Sequence, residues 1–132
     1  MKKRYRGYIF SRSFNGERLP QFVQNLVIRD FCNKNNFIFL LSRAEYAMEN
    51  SYSILKYSLR ELKKINGMIF YSLMMLPNDK KLRYFIYQRF IELNKNLYFA
   101  LENKKISSSK DINNIEEILM IKKTLNYCIN KF

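Results

Sequence analysis

The chain contains no histidine and no tryptophan, and only three glycines, two prolines and two cysteines in 132 residues. Each shortage removes a class of function. Without histidine there is no Ser-His or Cys-His catalysis and no imidazole-based metal site. Cys32 and Cys128 cannot close a structural zinc site by themselves; they sit far apart among apolar neighbours and read as buried, reduced thiols of a reducing compartment. The three glycines are scattered singly, so the glycine-rich phosphate loops of nucleotide enzymes are absent. No pair of carboxylates is spaced for general acid–base work. No apolar run approaches the roughly 20 residues of a membrane span; the longest, Met68 to Leu76, is interrupted by Ser72. The basic start Met-Lys-Lys-Arg-Tyr-Arg-Gly is followed by no sufficiently long apolar segment, so no export signal is read and the expected location is cytoplasmic.

What is present is a globular composition. Hydrophobic residues make up 48% and aromatics 16%, which excludes disorder. The length suits one domain spanning 1–132, able to bury about two-thirds of its unfolded surface. The net charge is +13. It favours anionic partners such as nucleic acid, phosphate or sugar phosphates. The accompanying excess of Lys, Asn, Ile, Phe and Tyr, residues with AT-rich codons, makes genome composition a second source of that charge.

Strand-like and helix-like segments alternate four times. Arg6–Phe10 is a short β-prone run, and Asn15-Gly16 marks a turn. Pro20 to about Lys34 is helical, with Phe22, Val23, Leu26, Val27, Phe31 and Cys32 at three- and four-residue intervals. Phe37–Leu41 is continuously apolar, as in a strand buried on both faces. A helix follows from a cap at Asn50 or Ser51, with Tyr52, Leu55, Leu59 and Leu62 inward, and stops at Asn66-Gly67. Met68–Leu73 is the third strand. A helix from Pro77-Asn78-Asp79 carries Leu82, Phe85, Ile86, Phe90 and Leu93, with Lys80, Lys81, Arg83 and Arg89 on a solvated face. Leu97–Leu101 is the fourth strand, Lys104–Asp111 a polar loop, and Ile112 to about Ile129 the last helix.

This alternation implies an α/β fold of three layers: a four-stranded parallel sheet with helices on both faces. The expected core centres on Ile9, Leu26, Ile38, Leu40, Leu59, Ile69, Phe70, Ile86 and Phe99. The last helix has Ile115, Ile118, Leu119, Met120, Leu125 and Cys128 as its expected inner residues. It is apolar on more than one side through Ile112, Ile115, Ile118, Leu119, Ile121 and Leu125, which suggests a homodimer through it.

Ligands of open α/β sheets bind outside the carboxyl ends of the strands. Ser11, Arg12, Arg18 and Gln21 follow the first strand; Arg43, Glu45 and Tyr46 follow the second; Tyr71 and Ser72 follow the third. Strand ends are polar in most α/β proteins, so polarity alone does not make a site. The arginines, the helix start after Pro20 and the tyrosines together suit an anionic ring-bearing ligand such as a sugar phosphate. These nine residues are the expected ligand-binding set, with no metal and no cofactor, and Arg12→Ala is expected to leave stability nearly unchanged. Ser11 reads as a ligand contact rather than a nucleophile, since no histidine or nearby lysine would activate it.

Two family resemblances follow from quoted motifs. Gly7-Tyr8-Ile9-Phe10-Ser11, with Gln21 and Gln24 and the entry Asn66-Gly67-Met68-Ile69-Phe70, resembles the catalytic domain of serine recombinases (the resolvase–invertase superfamily) over roughly residues 6–105. The resemblance, together with the four-fold alternation, implies that fold with the parallel strands in order 2-1-3-4, and it contradicts that chemistry. Phe10 stands where the family has an arginine, Arg12 where its serine aligns, and Met74-Met75-Leu76-Pro77-Asn78 where it has Asp-Arg-Leu-x-Arg. Gly7-Tyr8-Ile9 with Ser11-Arg12, Arg18-Leu19-Pro20-Gln21, Gln24-Asn25, Glu45-Tyr46-Ala47-Met48 and Tyr71 through Pro77 also looks like the bacterial sporadic carbohydrate cluster proteins. That resemblance implies a role in surface-polysaccharide (lipopolysaccharide or capsule) biosynthesis, binding an anionic sugar intermediate or a partner enzyme. It implies no particular reaction. The competing expectation is a catalytically inactive, recombinase-like nucleic-acid-binding domain.

Overall fold

A computed structural model describes residues 2–13 and 18–131, apart from the side chains at 126–127 and 129–131. The Asn15-Gly16 turn and Glu17 lie outside the described residues. In chain order the elements are β1 (Arg4–Phe10), α1 (Gln21–Lys34), β2 (Ile38–Glu45), α2 (Ser53–Leu59), β3 (Gly67–Phe70), a 3-10 turn (Leu73–Met75), α3 (Lys80–Glu92), β4 (Asn96–Phe99), β5 (Lys104–Ile106) and α4 (Ser109–Lys131). The sheet runs β2-β1-β3-β4-β5. Its first four strands are parallel and keep the expected order.

The fifth strand is an addition. It pairs antiparallel to β4, Leu97 opposite Ile106 and Phe99 opposite Lys104. Ile106 is its single apolar residue and is fully buried, too little signal to separate the strand from a polar loop. The reversal before it is made by Asn103, which takes a φ of 54°, a left-handed conformation that asparagine tolerates.

The core runs through β1, β3 and β4. Ile9, Leu59, Ile69, Phe70, Ile86 and Phe99 are all buried. Three expected core residues are not: Leu26 and Ile38 are exposed and Leu40 only half-buried. Ile38 and Leu40 fail because β2 is the sheet's edge, paired only to β1, so its continuous apolar run does not signify burial on both faces. Leu26 fails because α1 is rolled about its axis. Its inward residues are Gln24, Ile28, Phe31 and Cys32. The Gln24 amide donates to the Phe10 carbonyl at 2.9 Å and accepts from the Phe10 N–H at 3.0 Å, so a polar residue takes the position the apolar pattern gave to Leu26.

Gly67 opens β3 at φ 155°, and a Cβ there would strike the Asn96 carbonyl of β4. Burial pushes the Cys32 thiol up to about 11, as expected of an inert thiol. Cys128, expected inside, is exposed instead. On α4, Ile112, Ile115 and Leu119 face the core, whereas Met120 and Leu125, also expected inside, face outward with Ile121. No helix among the described residues is long and apolar enough to cross a membrane.

Ile69 is fully enclosed in the middle strand of the parallel region. Ile69→Ala is expected to lower unfolding free energy by about 2–5 kcal/mol, measured by denaturant titration; a loss below about 1 kcal/mol contradicts the packing described.

Candidate functional site

The carboxyl ends of β1 and β2 meet around one buried carboxylate. Glu45, the last residue of β2, is 1% exposed. Its Oε1 accepts from the Tyr8 hydroxyl at 2.8 Å and the Leu55 N–H at 3.1 Å. Its Oε2 accepts from the N–H groups of Tyr46 and Ile54, both at 3.1 Å, and from the Ser51 hydroxyl at 3.3 Å. Ile54 and Leu55 lie in the first turn of α2, whose N–H groups have no partner within the helix. Glu45 therefore caps α2 from another element. Burial and the adjacent carboxylate push the Tyr8 phenol far above its ordinary value, so it stays a donor.

Arg12 closes over this arrangement. Its Nη1 donates to the carbonyls of Tyr46, Met48 and Ser51 at 3.0, 3.2 and 2.8 Å. The guanidinium lies 4.1 Å from the Phe10 ring centre and 4.9 Å from that of Tyr52. Those contacts turn it into the β2–α2 connection and away from solvent, and the side chain holds the connection in shape. The Ser11 hydroxyl likewise donates inward, to the Glu45 carbonyl at 2.6 Å.

The nine residues expected to line one pocket thus divide. Ser11, Arg18 and Gln21 share a depression of about 260 Å³ with Leu19 and Pro20 beside the start of α1. Arg12, Glu45 and the Tyr46 backbone form the packed arrangement just described, with the Tyr46 side chain exposed. Arg43 faces α2, where it donates to Ser58 Oγ at 3.2 Å and to Glu61 at 3.0 Å. Tyr71 is buried, and Ser72 belongs to a separate cluster. There the Ser72 hydroxyl and the Leu73 N–H donate to Glu102 at 2.7 and 3.0 Å, and Lys122 of α4 reaches the same carboxylate at 2.9 Å. The physical reason for the dispersal is local: polar side chains at strand ends first satisfy the backbone of the loops they adjoin.

A second cluster lies between α3 and α4. Arg83, expected on a solvated face, is buried and doubly bonded to Glu116 at 2.7 and 3.0 Å. The Tyr87 hydroxyl donates to the same carboxylate at 2.6 Å. Burial alone would raise the Glu116 carboxyl, but Arg83 and Tyr87 outweigh it and hold it below the usual range. Sequence reasoning missed this pair, and it named Gln24 only as a motif residue without its bonds to Phe10, because the partners lie on other elements; the spacing of Arg83 from Leu82 and Ile86 was the available sign. No group of three metal-ligating side chains occurs among the described residues.

No protein-family model matches the chain, and no curated protein matches it significantly. Solved structures do. The N-terminal catalytic domain of the TP901-1 integrase superposes with a TM-score of 0.60 at 11% identity, covering 96% of this chain and 97% of that one. A resolvase family site-specific recombinase from Streptococcus pneumoniae superposes with a TM-score of 0.62 at 12% identity, again over 96% and 97%. The fold is resolvase-like. At such low identity the likeness concerns the fold alone, and the side chains decide the chemistry. At the end of β1, Arg12 stands where the resemblance aligns the recombinase serine, and Phe10 stands where it aligns an arginine. An arginine bonded to three carbonyls is no nucleophile, and Ser11 has its proton committed to a backbone oxygen.

The geometry reverses the expectation for Arg12→Ala. Removing the guanidinium leaves three carbonyls and two ring faces without their partner, and the variant is expected to lose about 2–4 kcal/mol of stability. Arg12→Lys, lacking the planar fork, is expected to recover only part of it. An unchanged melting temperature for Arg12→Ala refutes the bracing role.

Proposed function

We propose that this chain is a non-cleaving binding domain on the resolvase-like fold, and that its ligand is the phosphate backbone of nucleic acid. The supporting observation is how the charge is distributed. Glu45, Glu61, Glu102, Asp111 and Glu116 all turn to internal hydrogen bonds or ion pairs. Lys56, Arg60, Lys63, Lys64, Lys80, Lys81, Lys104, Lys105 and Lys110 are exposed. Asp30, Glu49, Asp79, Glu92 and Glu117 are exposed as well, but among the described residues the exposed bases outnumber the exposed acids, so the surface carries a net positive charge. The structures it resembles are described as an integrase catalytic domain and a site-specific recombinase, which supports nucleic acid as the partner class.

A second reading follows from the carbohydrate-cluster resemblance: a cytoplasmic protein of surface-polysaccharide biosynthesis that binds an anionic sugar intermediate. The Ser11–Arg18–Gln21 depression favours it, since its about 260 Å³ suits a sugar phosphate and Arg18 supplies an exposed guanidinium beside the first turn of α1.

One experiment separates the two. Fluorescence anisotropy against a random-sequence duplex is expected to show binding at about 50 mM salt that falls about a thousand-fold by about 200 mM, as for some six neutralised phosphates. A supercoiled plasmid is expected to stay uncut. Absence of duplex and single-strand binding at low salt, together with calorimetric binding of a hexose phosphate that Arg18→Ala abolishes, overturns the first reading in favour of the second.

We also propose that a second copy of the chain covers the outward face of α4. Met120, Ile121 and Leu125 are each more than half exposed there. A two-fold pairing places this face against itself, which is how an isologous interface buries one patch twice. Light scattering at micromolar concentration is expected to give a dimer mass, and Ile121→Glu a monomer.

A further inference from the structure

The seven residues of α2 and the turn after it present one face to solvent. Inward go Leu55, Ser58, Leu59 and Leu62. Outward go Tyr57, Arg60 and Lys64, spaced by three and four residues and therefore on one side. With Arg43 and Glu61 they line a depression of about 200 Å³. Tyr57 is 58% exposed, an aromatic ring left in water amid cations. The Arg43 guanidinium stands 5.1 Å from its ring centre.

Glu61 is the acid of this depression, and it is already matched. Arg6 holds it with two bonds of 2.9 Å, and Arg43 adds a third at 3.0 Å. The Arg6 hydrogen bonds, with the charges of both arginines, outweigh burial and hold its carboxyl below the usual range. Two guanidinium groups thus neutralise one carboxylate, and Arg60 and Lys64 have no acid of the depression left to pair with. Arg43 is at the same time fixed by Ser58, so the side of the depression it forms is rigid before any ligand arrives.

A rigid cation beside an exposed aromatic ring, flanked by further cations, is the arrangement that recognises an unpaired base together with its phosphates. We infer that this face of α2 binds single-stranded nucleic acid, with a base stacked on Tyr57 and the neighbouring phosphates on Arg60 and Lys64. The assignment rests on the nucleic-acid reading above and places it on one surface. A duplex keeps its bases stacked inward and offers Tyr57 no ring face, so only the phosphate contacts survive with a duplex.

The test uses the full chain and a labelled oligothymidine of about 15 nucleotides, beside a duplex of equal length. The single strand is expected to bind more tightly at equal salt. Tyr57→Ala is expected to weaken single-strand binding about ten-fold and to leave duplex binding unchanged, while Tyr57→Phe keeps both. The double variant Arg60→Gln/Lys64→Gln is expected to weaken both and to lower the salt slope by about two. All three positions are exposed, so unchanged melting temperatures are expected to accompany these losses. If the wild type binds nucleic acid and these variants bind it equally well, this surface is not the site, although the broader reading survives. If the wild type binds neither probe, the broader reading falls and this one with it.

Discussion

The Glu45 carboxylate is the point on which the carboxyl edge of the sheet depends. A carboxylate 1% exposed has lost its hydration, and it is tolerable only if fixed donors replace the water. Here those donors come from β1 through Tyr8, from the β2–α2 connection through Tyr46 and Ser51, and from the first turn of α2 through Ile54 and Leu55. None is a cation. The charge is balanced by oriented dipoles, among which the N-terminus of α2 is naturally attractive to an anion. The carboxylate thereby fixes the connection in which Arg12 finds three carbonyls. It donates nothing itself, yet it sets where the donors and acceptors of three elements must lie.

This arrangement turns the polar side chains at the strand ends of the fold inward. An edge that cleaves phosphodiesters needs a free nucleophile and unengaged arginines aimed outward. Here the arginine at the end of β1 is turned inward, stacked between Phe10 and Tyr52 and bonded to backbone. The serine beside it donates to backbone as well. Polar groups at the strand ends have become part of the packing. Exposed charge lies largely on the helix surfaces, where among the described residues the lysines and arginines outnumber the acids.

Several features were legible from sequence for reasons that now have names. The parallel strands followed from alternation, because β1, β3 and β4 carry enough apolar residues to declare themselves, while their order also rested on the recombinase-like register of the motifs. β5 did not, since Ile106 is its one buried side chain. The continuous run Phe37–Leu41 misled because period and hydrophobicity carry no record of which strand is at the edge. The roll of α1 was hidden because Gln24 is polar, and only its partner, the Phe10 backbone, explains why it faces inward. The candidate site was legible as a place but not as a pocket. Ser11, Arg12, Glu45 and Ser72 do sit at the carboxyl ends, yet their hydrogen bonds run to backbone or to residues such as Glu102 that pattern reading does not connect to them.

The clearest case of such long-range dependence is α2. Seven residues are too few for a helix to hold by itself in water. At its start the carboxylate of Glu45 substitutes for the missing intrahelical acceptors. Within it, Ser58 donates back to the Ile54 carbonyl at 2.8 Å, a bond that loosens helices rather than strengthening them, and accepts from Arg43. Beyond its end, Glu61 is tied to Arg6 of β1 and Arg43 of β2. Opposite signs are therefore fastened at opposite ends: a buried anion at the N-terminus, and cations of the sheet around the turn after the C-terminus. Each tie crosses from helix to sheet, so α2 can shift only by breaking contacts at both ends. Its outward residues inherit that rigidity. The same contacts that make a marginal helix stable keep Arg43 beside Tyr57, which is why a surface with no part in the core nevertheless has a defined shape.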